Sequence, residues 1–600
     1  MTGAGPLPVA HLVADYCVKQ GAGTAFVVVG GASLHLIHAF ASHDQGEVIP
    51  MHHEQSAAMA ADGFSRAANK VGVTIATSGP GATNLITGIA GAYYDSVPIV
   101  CLTGQVSTSR MVGNTGVRQI GFQETPIVEM VQGITKFAVT IRNPQELRFV
   151  LERAFFEAQT GRPGPVLIDI PDDIQRAIVD WDSLESFRPP IETEVLLVES
   201  KLDQLLELLN ECSQPVIVGG WGIHLSGCEL DFLELVDSLN IPVVLTWAAL
   251  GLLPRDHPLR LGPFGTHGSR AANFAVQNSD LVLSIGSRLD TKATGSPIST
   301  FARSAKRVAI DIDQTELDKF SEFGLEMDLT IRSDAGSFIR QMLEKELPSF
   351  DNPQWTQRND SRRQAVISYD ETSRKIEGLN PYYFAERLNE SAPSKTDFFV
   401  DTGCAIAWLT DSFAPTTDQR LFHDFNNTAM GWSIPASIGG GIGDRDRQQV
   451  CVVGDGSIMM SIQDLASFQS LSSHAKLILL DNSGYSMIRQ TQEQWLESNY
   501  VASSVQGGLV FPDFELIAAS FGFQYKKINT DEQIEPTLKD FWTNEHPIFL
   551  HVVVPESARI APQVVFGRPI EDMGPLLPRD LFMELMDTQP LAVSMSGIGT

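Results

Sequence analysis

Short apolar runs alternate with helical patterns along almost the whole chain. In the first part the runs are AFVVV (25–29), VTIATS (73–78), PIVCLTG (98–104) and PVLIDIP (165–171). In the middle they are PVIVGG (215–220), IPVVLTW (241–247), LVLSIGS (281–287) and RVAIDID (307–313). In the last third they are DFFVDTG (397–403), QVCVVGDG (449–456), KLILLDN (476–482) and PIFLHVVV (547–554). Such runs read as strands buried on both faces. Interleaved with helices, they specify parallel sheets covered on both sides. The expected fold is α/β, with three doubly wound parallel-sheet domains.

Two stretches break the rhythm. Val179 to Glu199 is polar and contains prolines, and Pro348 to Leu379 is charged and lacks strand signals. Six hundred residues exceed what one hydrophobic core holds. The expected division is 1–178, 200–345 and 379–560, followed by a C-terminal tail, 561–600. The closing LAVSMSGIGT is expected to be loose.

A net charge of −29 argues against nucleic acid, whose binders carry a basic face, and against anionic membrane surfaces. No stretch reaches the ~18 apolar residues of a membrane span. The N-terminal MTGAGPLPVAHLV has neither the basic segment nor the apolar stretch of a secretory signal. The six cysteines form no C-x-x-C pair and lie mostly in apolar runs, as buried reduced thiols do. A cytoplasmic setting is expected.

In parallel sheets of this kind, ligands bind beyond the carboxyl ends of strands. The run Val450–Val453 ends at such a point in Gly454-Asp455-Gly456. The next run ends in Asp481-Asn482-Ser483-Gly484, and Asn482 follows Asp455 by 27 residues. One strand–helix–strand unit is about 30 residues, so both side chains stand at one edge of neighbouring strands. A carboxylate and an amide oxygen, with a backbone carbonyl nearby, are hard ligands that suit Mg²⁺ completed by phosphate oxygens. The helix opening at Ser457 can turn its N–H groups to the same phosphates. The alternative is two unrelated loop turns.

In the first domain, Glu54 closes a strand-like run and opens an Ala-rich helix. His53-Glu54 is no zinc helix, because Ala57 stands where a second histidine is needed. Downstream, Ser78-Gly79-Pro80-Gly81-Ala82-Thr83-Asn84 is a Gly-rich strand-to-helix turn without the Gly-Lys-Ser/Thr of a P-loop. It lets backbone approach a ligand.

Together these pieces resemble the thiamine-diphosphate-dependent enzymes, and within them the acetohydroxyacid synthase-like branch. The carriers include HHEQSAAMAADGFSRA, TSGPGATN, LTGQV, FQE, GRPGPVLIDIP, GSRLDTKATG, AMGWSIPASIG and GDG followed by DN. The resemblance implies an N-terminal domain for the cofactor's aminopyrimidine and a C-terminal domain for its diphosphate. The two are supplied by different subunits of a homodimer or homotetramer. Glu54 matches the glutamate at the pyrimidine ring, and Met430 matches the side chain that bends the cofactor. Asp455, Asn482 and the Gly484 carbonyl match the metal ligands. Gly79, Pro80, Asn84, Gly403, Gly454, Gly456 and Ser457 fall in cofactor-binding segments. Phe122 and Gln123 match residues lining the reacting carbons, and His52 and His53 read equally well as structural histidines.

The implied reaction is decarboxylation of a 2-oxo acid, pyruvate by preference, with transfer of the two-carbon acetyl unit to a carbonyl acceptor. Three positions of the acceptor pocket depart from the biosynthetic synthases. Asp172 replaces a usual lysine, Lys292 replaces an arginine that meets the acceptor's carboxylate, and Thr491 replaces a tryptophan that sorts acceptors by size. Lysine cannot make arginine's planar two-point grip. The segment PIEDMGPLLPRDLF (569–582) is similar to synthase-like proteins of surface-polysaccharide and deoxysugar pathways, so the expected acceptor is a keto sugar. In the central domain, Thr266, His267, Gly268 and Arg288 resemble FAD-binding segments.

The rival readings are acetolactate synthase proper, a simple 2-oxo acid decarboxylase, and a non-catalytic regulatory paralogue. Intact Glu54, Asp455 and Asn482 speak against the last. A nicotinamide dehydrogenase is disfavoured because no G-x-G-x-x-G follows a strand with an acidic partner at the right distance.

Overall fold

A computed structural model describes residues 5–190, 199–415, 418–471 and 476–595. The polar stretch after Val179 therefore falls partly, at 191–198, outside the described residues. Three all-parallel, six-stranded sheets follow one another along the chain. The first contains β1 (Thr24–Val27), β2 (Glu47–Pro50), β3 (Gly72–Ala76), β4 (Ile99–Gln105), β5 (Phe137–Thr140) and β6 (Val166–Pro171), in the order β2-β1-β3-β4-β6-β5. The second contains β7 (Pro215–Gly219), β8 (Val243–Leu245), β9 (Arg260–Pro263), β10 (Leu281–Ile285), β11 (Lys306–Asp311) and β12 (Leu329–Arg332), in the order β9-β8-β7-β10-β11-β12. The third contains β13 (Thr396–Val400), β14 (Arg420–Phe422), β15 (Gln448–Gly454), β16 (Lys476–Asp481), β17 (Gln524–Ile528) and β18 (Ile548–Val553), in the order β14-β13-β15-β16-β18-β17.

The twelve apolar runs are the four interior strands of each sheet. Most of their side chains are buried on both faces, as in β3 and β4, where every residue is buried. Each such Val, Leu or Ile contributes about 1.5–3 kcal/mol of burial free energy. The first and third sheets share one strand order, and the central sheet has another. Strand order reverses between β1 and β3, between β7 and β10, and between β13 and β15. Crevices at those reversals, at the carboxyl ends, are where such sheets hold ligands.

The first and third domains dock through two helices, Glu54–Ala68 and Ser433–Gly443. Their backbones touch. A Cβ on Gly439 would stand 1.8 Å from the Ala60 carbonyl oxygen, and one on Gly63 would stand 2.0 Å from that of Ala436. Glycine and alanine are thus what the contact requires at these positions. A buried ion network seals the edge of this contact. Arg66 pairs with Asp62 at 2.7 Å and with Asp95 at 2.8 Å, and lies 5.3 Å over the Trp432 ring. Asp95 in turn accepts the backbone N–H groups of Phe425 and Asn426.

The C-terminal segment folds back onto the central domain. Arg270 donates to the carbonyls of Met573 and Pro575 at 2.8 and 2.6 Å, and Gln277 donates to Glu571 at 2.6 Å. The buried Arg362, on the helix Pro353–Ser373, donates to the Leu585 carbonyl. Of the terminal LAVSMSGIGT, Ser594 is buried and its carbonyl accepts from Arg579, while 596–600 lie outside the described residues.

Candidate active site

Two groups of residues collect at strand ends, one in each outer domain. In the C-terminal domain, β15 delivers Gly454-Asp455-Gly456 at the strand-order reversal. The Asp455 carboxylate is buried and accepts two backbone N–H groups, from Gly456 at 2.7 Å and from Gly484 at 2.8 Å. Burial, and next the charge of Asp481, push its carboxyl up to about 7. Burial also raises the Asp481 carboxyl, but hydrogen bonds from His551 and Ser483 outweigh that and hold it below the usual range. Asn482 is 6% exposed, and its buried Oδ1 has no hydrogen-bond partner. An uncomfortable buried carboxylate beside an orphaned amide oxygen is a donor set that a hard divalent cation would satisfy. No cluster of three or more His, Cys, Asp or Glu suited to a metal occurs among the described residues, so a cation here would draw its other oxygens from backbone carbonyls or from a ligand.

The Met430 segment is brought to the same crevice. Asp401, fully buried at the end of β13, accepts the N–H groups of Gly431 at 3.1 Å and Ser433 at 3.0 Å, and the Ser433 hydroxyl at 2.9 Å. Gly431 packs against Ser457 and Met460, leaving no space for a side chain. Gly403 opens the helix Cys404–Ser412 beside this turn.

In the N-terminal domain, Glu54 is the first residue of its helix, capped by His53, whose Nδ1 accepts the Gln55 N–H. Asn84 Nδ2 donates to Glu54 Oε2 at 2.9 Å. Gly79, at φ 63°, turns the chain after β3 so that its Cα faces Gln123. A Cβ there would lie 2.9 Å from that of Gln123. Left-handed backbone and crowding together call for glycine. Pro80 starts the short helix that carries Asn84. Phe122 is 85% exposed, and Gln123 has φ 64°. Glu124 organises their loop by accepting the N–H groups of Val112, Ile120 and Gly121.

Each group is thus brought together inside its own domain. Among the described residues, no hydrogen bond or ion pair runs directly between the two groups. The domains meet beside them instead, where Asp464 accepts the Ser56 hydroxyl and the His52 N–H.

The three matching models are those of the thiamine pyrophosphate enzymes. The N-terminal TPP binding domain covers residues 7–130, the central domain 202–342, and the C-terminal TPP binding domain 401–552. The chain belongs to the thiamine pyrophosphate enzyme family. Thiamine pyrophosphate is the thiamine diphosphate expected above. Among its relatives is the acetolactate synthase isozyme 2 large subunit of Escherichia coli (strain K12), 33% identical over 559 residues, with 92% of this chain and 97% of the relative covered. Acetolactate synthase 1, chloroplastic, of Zea mays is 33% identical over 585 residues, with 94% and 88% covered. The acetolactate synthase large subunit of Lactococcus lactis subsp. lactis (strain IL1403) is 31% identical over 570 residues, with 95% and 96% covered. This thiamine pyrophosphate enzyme is acetolactate synthase-like along nearly its full length.

The enzyme has a third crevice, at the β7/β10 reversal of the central sheet. It is a cavity of about 400 Å³ walled by Arg162, Trp221, Trp247, His267, Arg288 and Lys292. Glycines close the strand ends below it: Gly220 donates to the Ile285 carbonyl and Gly222 to that of Gly286. Burial, and then the charge of Lys292, push the His267 imidazole down to about 4. His267 Nδ1 and Trp221 Nε1 are buried without partners. Thr266 lines the cavity, whereas Gly268 lies behind it in a turn against Phe264.

The three positions expected at an acceptor pocket lie in three different domains. Asp172 starts a short helix and accepts from Ser107 and Arg176. Lys292 stands 5.2 Å over the Trp247 ring in the central cavity. Thr491, on the helix Ser486–Trp495, donates to its own Met487 carbonyl. No hydrogen bond or ion pair joins them among the described residues.

Asp401, Glu124 and Asp464 were not singled out from the sequence, although all hold site segments. Asp401 had a signal: DTG ends a strand just as GDG does.

Proposed function

We propose that this enzyme decarboxylates a 2-oxo acid, pyruvate by preference, and transfers the two-carbon acetyl unit to a keto sugar. The observation that carries the reading is the pair of half-sites, one centred on Glu54 and Asn84, the other on Asp455 and Asn482. Bound thiamine diphosphate supplies the electron sink that lets CO₂ leave. Asp455, Asn482 and the Gly484 carbonyl would hold Mg²⁺ against the diphosphate. The N–H groups around Gly454, Gly456 and Ser457 would face its oxygens. Glu54 would meet the aminopyrimidine through Oε1, the oxygen that Asn84 leaves free. Met430, whose turn is fixed through Asp401, would pack against the bound cofactor, and Phe122 and Gln123 would line the pocket where the substrate reacts.

Glu54 is only half-buried in one chain, and Phe122 and Met460 are exposed apolar side chains beside the half-sites. That supports a homodimer or homotetramer whose subunits pair the N-terminal group of one with the C-terminal group of the other. Light scattering tests this, and a monomer at working concentration contradicts it. The central strand order, the two orphaned polar atoms and the two arginines support FAD in the third crevice. The six free cysteines fit a reducing, cytoplasmic setting. No helix among the described residues is long and apolar enough to cross a membrane.

The acid at position 172, the lysine drawn over Trp247 and the small Thr491 support an acceptor without a carboxylate. A second reading, acetolactate formation from a second 2-oxo acid, is favoured by the names of the relatives. Mass spectrometry of products from pyruvate alone and with a panel of keto sugars, aldehydes and oxo acids separates them. Fast, high-yield acetolactate from pyruvate alone overturns the keto-sugar reading.

A further inference from the structure

Behind the Asp455–Asn482 edge runs a line of polar side chains that no step above uses. Asp481 ends β16, one residue before Asn482. Its Oδ1 accepts the Ser483 N–H at 3.0 Å, and its Oδ2 lies 2.8 Å from His551 Nε2. His551, on β18, is 5% exposed, and its Nδ1 lies 2.7 Å from the Tyr525 hydroxyl on β17. Strand register puts Leu479 opposite His551 and Asp481 opposite Val553, while Tyr525 pairs with Phe549. Asp481, His551 and Tyr525 therefore share one sheet face, each shifted two residues from the next, on a diagonal across three adjacent strands. Phe514 packs edge-on against the imidazole, with ring centroids 5.7 Å apart.

The partners assign the protons. An ionised carboxylate only accepts, so Nε2 donates to Asp481, and Nδ1 is left to accept from the Tyr525 hydroxyl. Every polar atom on the line is then matched. The line ends on the turn whose orphaned Asn482 Oδ1 and Gly484 backbone face the site. Apolar residues of similar volume would serve sheet stability as well as or better than a polar chain centred on a buried histidine. A chain kept here points to the turn it holds.

We propose that His551 and Tyr525 are positioning residues for the metal loop. They fix the Asp481 carboxylate, which in turn fixes the Asn482–Gly484 turn in the geometry an octahedral cation demands. The inference rests on the Mg²⁺ reading above. Loss of such outer partners typically lowers metal affinity by about 10- to 100-fold.

The test is Mn²⁺ binding to the full chain with thiamine diphosphate present, read from the electron paramagnetic resonance signal of free Mn²⁺. His551→Leu is expected to weaken binding by about 10-fold or more. His551→Gln, whose amide N–H replaces Nε2, recovers most of the affinity lost in His551→Leu, a recovery that a purely packing role does not give. Tyr525→Phe keeps the ring, loses one hydroxyl, and weakens binding by about threefold; it carries the test if His551→Leu does not fold. Wild-type affinity in the folded His551→Leu or Tyr525→Phe protein overturns the inference while leaving the metal site standing. So does equal loss in His551→Leu and His551→Gln. Absence of Mn²⁺ binding in the wild type, or undiminished binding in Asp455→Ala, overturns the metal reading and the inference with it.

Discussion

The Asp455 carboxylate accepts the Gly484 N–H at 2.8 Å, and this one bond ties the end of β15 to the turn after β16. Removing it takes away a proposed metal ligand and the brace of another. Asp455→Ala is expected to weaken Mg²⁺-dependent thiamine diphosphate binding by at least about 100-fold, and Asn482→Ala by about 10-fold. Quenching of tryptophan fluorescence during cofactor titration measures both.

The contact of Gly439 with the Ala60 carbonyl leaves no room for a methyl group. Gly439→Ala must push the two docked helices apart. Overpacking of this kind costs about 1–3 kcal/mol, and more where the obstacle is backbone. The urea unfolding midpoint of the variant should fall accordingly. An unchanged midpoint would mean that the helices do not touch.

Asp169, on β6, is buried and accepts hydrogen bonds from Thr103, Gln105 and Thr140. Burial pushes its carboxyl up to about 7, against an unfolded value of about 3.9. The folded state therefore binds the proton more tightly than the unfolded state. The stability it contributes is present at low pH and is lost as pH rises from about 4 through 7. Asp169→Asn keeps the neutral form throughout. The variant's thermal midpoint should match the wild type near pH 4 and exceed it by a growing margin up to about pH 8.

Added FAD should stabilise the protein by mass action, by about 2.7 kcal/mol at a hundredfold excess over its dissociation constant. Thermal unfolding of flavin-depleted protein, with and without FAD, reads this directly. No shift would mean that the crevice walled by Trp221, Trp247 and Arg288 holds something else.

Interior strands were readable in the sequence because burial on both faces leaves an unbroken apolar run, as in Val450–Val453. Edge strands were not. QYKKI of β17 and FAVT of β5 are largely half-exposed, and their residues carry no continuous apolar signal. Only the edge strand before Glu54 announced itself, through the helix that follows. Asp455 and Asn482 were legible because each ends a strong strand at a set spacing. Asp401 and His551 were not, because what they hold lies far away in the chain: Asp401 braces a turn thirty residues on, and His551 reaches Asp481 seventy residues back. The fold-back of 570–586 onto the helix Arg270–Asn278 was invisible for the same reason. It is made largely of side chains meeting backbone carbonyls, which leave no pattern in the sequence.

Release of labelled CO₂ from carboxyl-labelled pyruvate tests the central claim most directly, because it needs no knowledge of the acceptor. The account predicts release that requires thiamine diphosphate and a divalent cation, disappears in Asp455→Ala, and falls by about 10²- to 10⁴-fold in Glu54→Gln. Release indifferent to the cofactor, or undiminished in both variants, would contradict it.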